Sequence, residues 1–262
     1  MIYTCYEMIR DCREGRPEGW RYLVAMYVPV IRKLLAHYGR DEPAGAAAVE
    51  RVLVELHRPG GDLFRSQEPA PERYFVAHLR QKVLEFSANG EDGAIDLETV
   101  AAALEPLTLV EKQATWLETM LYSPAETGAF LRMAPATVEK IRNQAAELIR
   151  AKADSWSRTI LAESGRALGR AAAGVGTAGC LPAKMFLDML DGRTTWQDRE
   201  EIARHATECW HCIDHFCRLV EVGELLRGNV PLSNGEAAGF WDLLGVTPPG
   251  GPAWKRWLTG KG

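Results

Sequence analysis

Apolar residues return every three or four positions along most of this chain, and alternating Val/Ile/Thr runs are nearly absent. That period belongs to helices burying one stripe, because residues i, i+3, i+4 and i+7 share a helical face, whereas a half-buried strand alternates in twos. The fold class it predicts is all-α. An apolar content of 47% over 262 residues is ample for packed cores, and the length divides most naturally into two or three small domains.

The first helical block begins near Gly19 and ends near Ser87. WRYLVAMYVPVIRKLLAHYG places Leu23, Tyr27, Val30, Ile31, Leu34 and Leu35 on one stripe, with Pro29 kinking or dividing the helix and Gly39 ending it. AAAVERVLVELH repeats the stripe through Val49, Val52, Leu53 and Leu56, up to Pro59-Gly60-Gly61. ERYFVAHLRQKVLEFSA adds a helix with Phe75, Leu79, Val83 and Phe86 inward, and ANGEDGAID reads as a linker.

A second block runs from Leu97 to about Lys152. After the amphipathic LVEKQATWLETMLY, Ser123-Pro124-Ala125-Glu126 is a capping box with proline at the first helical position. A turn at Met133-Ala134-Pro135 then leads into ATVEKIRNQAAELIRAK, so a short helix, a tight turn and a longer helix make a helix-turn-helix candidate; ordinary bundle corners share the pattern. Val138, Ile141, Ala145 and Leu148 are expected inside, and Thr137, Lys140, Asn143, Gln144 and Glu147 outside. Lys140, Arg142, Arg150 and Lys152 are available for phosphates, diluted by Glu139 and Glu147. Residues 154–179 read as a helix loosening into the small-residue tether GRAAAGVGTAG.

His205-x-x-x-Cys209-x-x-Cys212, with Cys180 upstream, is a complete tetrahedral ligand set for zinc. On a helix His205 and Cys209 are i,i+4 and Cys209 and Cys212 are i,i+3, which predicts three donors on one face and a fourth from another segment. A CxxC pair also fits a redox dithiol or plain core packing. His211 and His215 are spare candidates, with solvated or capping roles as the simpler reading. Cys217 is either a resolving thiol or a buried lone cysteine.

Six cysteines in a chain of this length do not make a disulfide framework, and no charged-then-apolar leader or bilayer-length apolar run is seen, so the expected compartment is the cytoplasm, with no membrane partner. A net charge of −4 argues against autonomous DNA binding, which favours a basic stripe; a protein that reaches DNA within a larger assembly escapes that requirement. No phosphate-cradling glycine loop, nucleophile elbow or open metal position points to an enzyme.

The order of these parts resembles a bacterial RNA polymerase sigma factor of the small extracytoplasmic-function group. GWRYLVAMYVPVIRKLLAHYG, AAVERVLVELHR and FVAHLRQKVLEFSA look like its region 2, and ALEPLTLVEKQATWLETMLYSPAETGAFLRMAPATVEKIRNQAAELIR like its region 4. LDGRTTWQDREEIARHATECWHC is similar to the zinc-binding anti-sigma domain. The resemblance spans most of residues 15 to 228. It implies a region 2-like domain at 1–90, a region 4-like helix-turn-helix at 91–153, a helical or flexible linker at 154–179, an anti-sigma-like zinc domain at 180–228 and a tail at 229–262.

The function implied is transcription regulation: binding of RNA polymerase core and promoter DNA, with Thr137, Lys140, Arg142, Asn143 and Gln144 toward DNA, restrained by the fused zinc domain through intramolecular contacts. Zn2+ on Cys180, His205, Cys209 and Cys212 is structural, with thiolates open to oxidation. Oxidation, a ligand, proteolysis or a regulatory protein partner would release the restraint. The alternative is a sigma-derived adaptor or sequestering protein without promoter recognition, since Ala44-Gly45-Ala46-Ala47 stands where the family has an acidic cluster. Gly128, Arg132 and Ala134 likewise stand in place of a packing alanine, a turn glycine and a Ser or Thr cap. In the tail, FWDLL predicts a short helix, and Trp254, Lys255, Arg256 and Trp257 suit docking onto the chain's own bundle or onto a partner.

Overall fold

In a computed structural model of the chain the described residues are 3–38, 46–58, 72–86, 95, 97–163, 165–176 and 178–246, and every regular element among them is a helix. In chain order these are α1 (Cys5–Arg13), α2 (Pro17–Tyr38), α3 (Ala46–His57), α4 (Glu72–Phe86), α5 (Leu97–Leu104), α6 (Leu109–Thr119) and α7 (Pro124–Leu131). There follow α8 (Pro135–Lys152), α9 (Ser155–Glu163), α10 (Gly165–Gly174), α11 (Ala183–Leu190), α12 (Trp196–Glu208), α13 (Trp210–Arg227) and α14 (Asn234–Leu243). None of the described helices is long and apolar enough to cross a membrane. The chain forms two units, one of residues 1–87 with 225–262 and the other of residues 88–224.

A hydroxyl followed three residues later by a carboxylate starts α1, α6, α7, α12 and α14, the pairs being Thr4/Glu7, Thr108/Glu111, Ser123/Glu126, Thr195/Asp198 and Ser233/Glu236. Each pair satisfies amide donors that the first helical turn cannot satisfy for itself. These boundaries are therefore marked by local sequence rather than by packing.

In the first unit α2 is the axis, touching α1, α3, α4 and α14. Leu23, Val24, Tyr27, Val28, Val30 and Ile31 have no exposed surface. A single stripe does not account for Val24 and Val28; α1, a helix the sequence reading did not anticipate, covers a further face of α2. Two polar side chains inside are partnered across helices, the Tyr27 hydroxyl donating to Glu72 Oε1 at 2.7 Å. The buried Arg80 donates to the Tyr38 hydroxyl at 3.0 Å, with its guanidinium 5.3 Å from that ring's centroid. Phe86, expected inward, is exposed at the end of α4. α14 rests on α2 and α3 with Ala237, Phe240 and Trp241 buried. Ala44 and Gly45, at the start of the segment where an acidic cluster was sought, lie outside the described residues, as do Gly39, Pro59-Gly60-Gly61, the linker residues 88–94 and the Trp254–Trp257 stretch.

In the second unit α6 is central, touching α7, α8, α9, α10 and α12, with Trp116 almost fully enclosed. α7, a turn at 132–134 and α8 follow as the spacing predicts. Arg132 takes the left-handed conformation (φ 56°, ψ 46°) in the turn, where the resemblance expects glycine. Ala134 precedes α8 without a side-chain cap. Gly128 is tied to the same turn: a Cβ there would lie 2.6 Å from the Met133 carbonyl oxygen, so alanine does not fit.

The segment 154–179 contains α9 and α10, both packed on α5 and α6, with Leu168 and Ala172 fully buried. Of the small-residue segment 169–179, residues 169–174 are the second half of α10, with Ala172 buried, whereas 175, 176, 178 and 179 are exposed and non-helical, as a helix loosening into a tether predicts. The first residue of α10, Gly165, abuts the end of α6 so closely that a Cβ would lie 1.6 Å from the Thr119 carbonyl oxygen. Gly165→Ala should therefore lower unfolding free energy by about 2 kcal/mol in chemical denaturation. Arg132→Gly, which relieves a left-handed non-glycine residue, should raise it by about 1 kcal/mol.

Candidate metal centre

α12 starts at the Thr195/Asp198 box and ends in its last turn with His205. Cys209 closes it, its amide donating to the His205 carbonyl at 2.9 Å, but its own backbone is extended (φ −115°, ψ 113°). Its carbonyl then accepts from the Ile213 amide at 3.0 Å and so opens α13. The three donors expected on one continuous face thus stand on two helices joined at Cys209. On a straight helix His205 and Cys212 would be separated by seven residues, about 10.5 Å of rise, too far to share one ion. The break brings them together.

Cys180 arrives on the loop before α11, a helix that packs on α12. The two are joined through a turn in which Gly192 has φ 74°, and Arg193 pairs with Asp188 at 2.9 Å and Asp191 at 3.0 Å. The Sγ atoms of Cys180, Cys209 and Cys212 and a ring nitrogen of His205 all lie within 4.8 Å of one another. Cys180 Sγ and Cys209 Sγ are 3.8 Å apart. Two thiolates on one tetrahedral zinc at about 2.3 Å are separated by about 3.8 Å, so this edge already has the length the ion requires.

Two further features fit a cation. His205 Nε2 is buried and makes no hydrogen bond, a costly state for a ring nitrogen that a metal would relieve. Cys212 is buried, and its thiol is pushed up to about 12, first by desolvation and then by the neighbouring Cys209 and Cys180 thiols, against a lowering from the Leu181 amide. A dication among three such sulfurs reverses that balance and holds them as thiolates. Three sulfurs and one imidazole form a soft donor set suited to zinc, and four protein ligands close the coordination shell.

The spare candidates serve elsewhere. His211 Nδ1 lies 3.3 Å and 3.2 Å from the carbonyls of Ala172 and Ala173 at the end of α10, and its ring stacks on His215 at 5.9 Å. His215 also lies against Phe186, and Cys217 is buried in α13. Neither histidine nor Cys217 belongs to the four-residue cluster.

Immediately after the ligands, α13 is fixed to α6. Asp214, fully buried, accepts from Trp116 Nε1 at 3.1 Å and from Arg218 at 2.8 Å, and the Trp116 and Trp210 rings lie 5.2 Å apart. Asp214 and Arg218 are an i,i+4 pair visible in the sequence; their partner Trp116, 98 residues away from Asp214, is not. On its other side Cys209 borders an open cleft of about 460 Å3, together with Lys112, Glu208, Trp210 and Ile213. A chelator can therefore approach this edge of the cluster.

Among residues expected to face DNA, Thr137, Lys140, Asn143 and Gln144 are exposed on α8. Arg142 is not. It is 7% exposed and donates to the Tyr122 carbonyl at 2.9 Å and Thr127 Oγ1 at 2.7 Å, tying α8 to the start of α7. Burial of this long side chain shifts the inner stripe to Val138, Arg142, Ala145 and Ile149 and leaves Leu148 exposed. The charged group is tolerated inside because its Nη2 donates twice and its Nη1 lies 3.8 Å from the Glu118 carboxylate.

Comparison of the chain with protein-family models, with curated proteins and with solved structures returns no match.

Zinc added to the reduced, metal-free protein at pH 7 should bind at one equivalent and release about three protons, one per thiol. Cys209→Ala should release about two and retain far less metal after chelator treatment; equal retention would overturn the ligand assignment. Without metal, Cys212 stays protonated in the fold while an unfolded thiol ionises, so stability should fall as pH rises from about 9 toward about 12. The zinc-loaded protein should show the opposite trend, losing its metal as pH falls.

Proposed function

We propose that this chain is a sigma-factor-like transcription regulator whose helix-turn-helix is restrained by its own zinc module. The observation that carries the reading is the buried Trp116–Asp214–Arg218 junction, which fastens the helix after the metal ligands to the central helix beneath α7 and α8. Zinc fixes α12 against the start of α13, and Asp214 stands two residues beyond Cys212. Any event that opens the cluster therefore loosens the grip on α6. Because module and target share one chain, the effective concentration is roughly millimolar, and a modest interface suffices.

Thr137, Lys140, Asn143 and Gln144 are then the residues of α8 that would approach promoter DNA, as part of an assembly with RNA polymerase core. Arg142 is left out of that set because its guanidinium is engaged inside the unit.

One observation favours the second reading, an adaptor or sequestering protein that does not read promoters. With Arg142 buried, the exposed charges of α8 are Lys140, Arg150 and Lys152 against Glu139 and Glu147, a weak electrostatic match to phosphates.

The test uses the full chain, since residues 225–246 belong to the first unit and removing everything beyond 179 would damage it. Zinc-loaded wild type and the double variant Cys209→Ala/Cys212→Ala are compared for binding to core polymerase and for promoter-dependent transcription. The released variant should bind core and initiate, and the zinc-loaded protein should do so at least tenfold less. Core binding without initiation would select the adaptor; no core binding by either form would remove both readings.

A further inference from the structure

Pro29 removes a hydrogen-bond donor from the middle of the helix at the centre of the first unit. Proline has no backbone N–H, so the Ala25 carbonyl, four residues earlier, has no partner within α2. Ala25 is only 6% exposed, and an unpartnered carbonyl there would be costly. The missing donor comes from far along the chain. The Leu232 amide donates to the Ala25 carbonyl at 2.8 Å, and Asn229 Nδ2 donates to the neighbouring Met26 carbonyl at 2.7 Å. From α2, Lys33 Nζ donates in turn to the Gly228 carbonyl at 3.1 Å.

The segment then turns into α14 at the Ser233/Glu236 box and lays Ala237, Phe240 and Trp241 inward, with Arg32 of α2 placed 5.5 Å from the Phe240 ring centroid. Val230, between the two donor residues, is 75% exposed, so the segment touches α2 on one side and water on the other. A side-chain amide donor at Asn229 and a backbone donor at Leu232, followed by the apolar face of a short helix, combine main-chain hydrogen bonding with helix docking, two modes by which one chain segment is commonly recognised by another.

We propose that the gap at Pro29 is a recognition site for an extended Asn-x-x-Leu segment leading into an amphipathic helix, and that residues 228–246 are its resident ligand. The proline creates the site: it leaves the Ala25 carbonyl without its helical donor, the Leu232 amide takes that place, and Asn229 adds a bond to the neighbouring Met26 carbonyl. The site is independent of the metal centre and of the function proposed for the second unit. Any partner that needs the α2–α3 face of this unit has to displace residues 228–246, and a peptide of the same sequence is the natural competitor.

The decisive variant is Pro29→Ala in the full chain. Alanine restores the N–H, which then competes with the Leu232 amide for the Ala25 carbonyl, even though the helix itself gains a better helix former. Hydrogen exchange at Leu232 and through α14 should accelerate by about tenfold or more, with α2 unchanged or slower. Unchanged exchange across 229–246 would overturn the proposal. In a second arm, the full-length Asn229→Ala/Phe240→Ala variant, with its resident segment weakened, should bind a fluorescent peptide of residues 228–246 saturably, and adding Pro29→Ala should abolish binding. Failure to bind, or binding indifferent to Pro29, would also overturn it. Should the double variant fail to fold, the exchange measurement on Pro29→Ala decides alone.

Discussion

Residues 180–224 depend on one break in a helix. His205 and Cys212 are seven residues apart, and only the extended backbone at Cys209 lets them face a common point with Cys180. The junction costs little in hydrogen bonding, because the Cys209 amide ends α12 and the Cys209 carbonyl starts α13. What it does cost is electrostatic: three thiols and an imidazole nitrogen are gathered where Cys212 resists ionisation and His205 Nε2 has no hydrogen bond. A dication held there would remove both penalties together, so that metal binding and the folding of this segment would be linked equilibria.

That local equilibrium is connected to the rest of its unit through a small number of contacts. Asp214 is buried with its two oxygens taken by Trp116 and Arg218, and α6, which carries Trp116, also packs on α7 and α8. A fully buried carboxylate is tolerated only while both partners remain in place.

Much of this was legible in the sequence, and the exceptions have physical causes. Helical period found α2, α3, α4, α6 and α8, and the Ser123/Glu126 box marked the start of α7, because these signals are local. The Cys/His spacing named the four residues that the fold gathers within 4.8 Å. It did not reveal the break at Cys209, since an extended residue between two helices leaves no composition mark. α1 was missed although Thr4/Glu7 announces it. The GRAAAGVGTAG segment divides in two, because small residues suit a close helix packing and a loose tether alike: Ala172 is buried in α10, while residues 174–176 are exposed. Charge alone points Arg142 outward, whereas two hydrogen bonds hold it inside, so that Arg142 and Ile149 join Val138 and Ala145 in the buried stripe of α8 in place of Ile141 and Leu148. The donor that Pro29 lacks is supplied from more than 200 positions away at Leu232, a pairing no local pattern can show.

The most direct test of this account is zinc K-edge X-ray absorption on the purified, reduced, full-length protein. The account predicts one bound zinc with three sulfur neighbours at about 2.3 Å and one nitrogen at about 2.0 to 2.1 Å. A protein that purifies without zinc and takes none up, or a shell with fewer than three sulfurs, would contradict it.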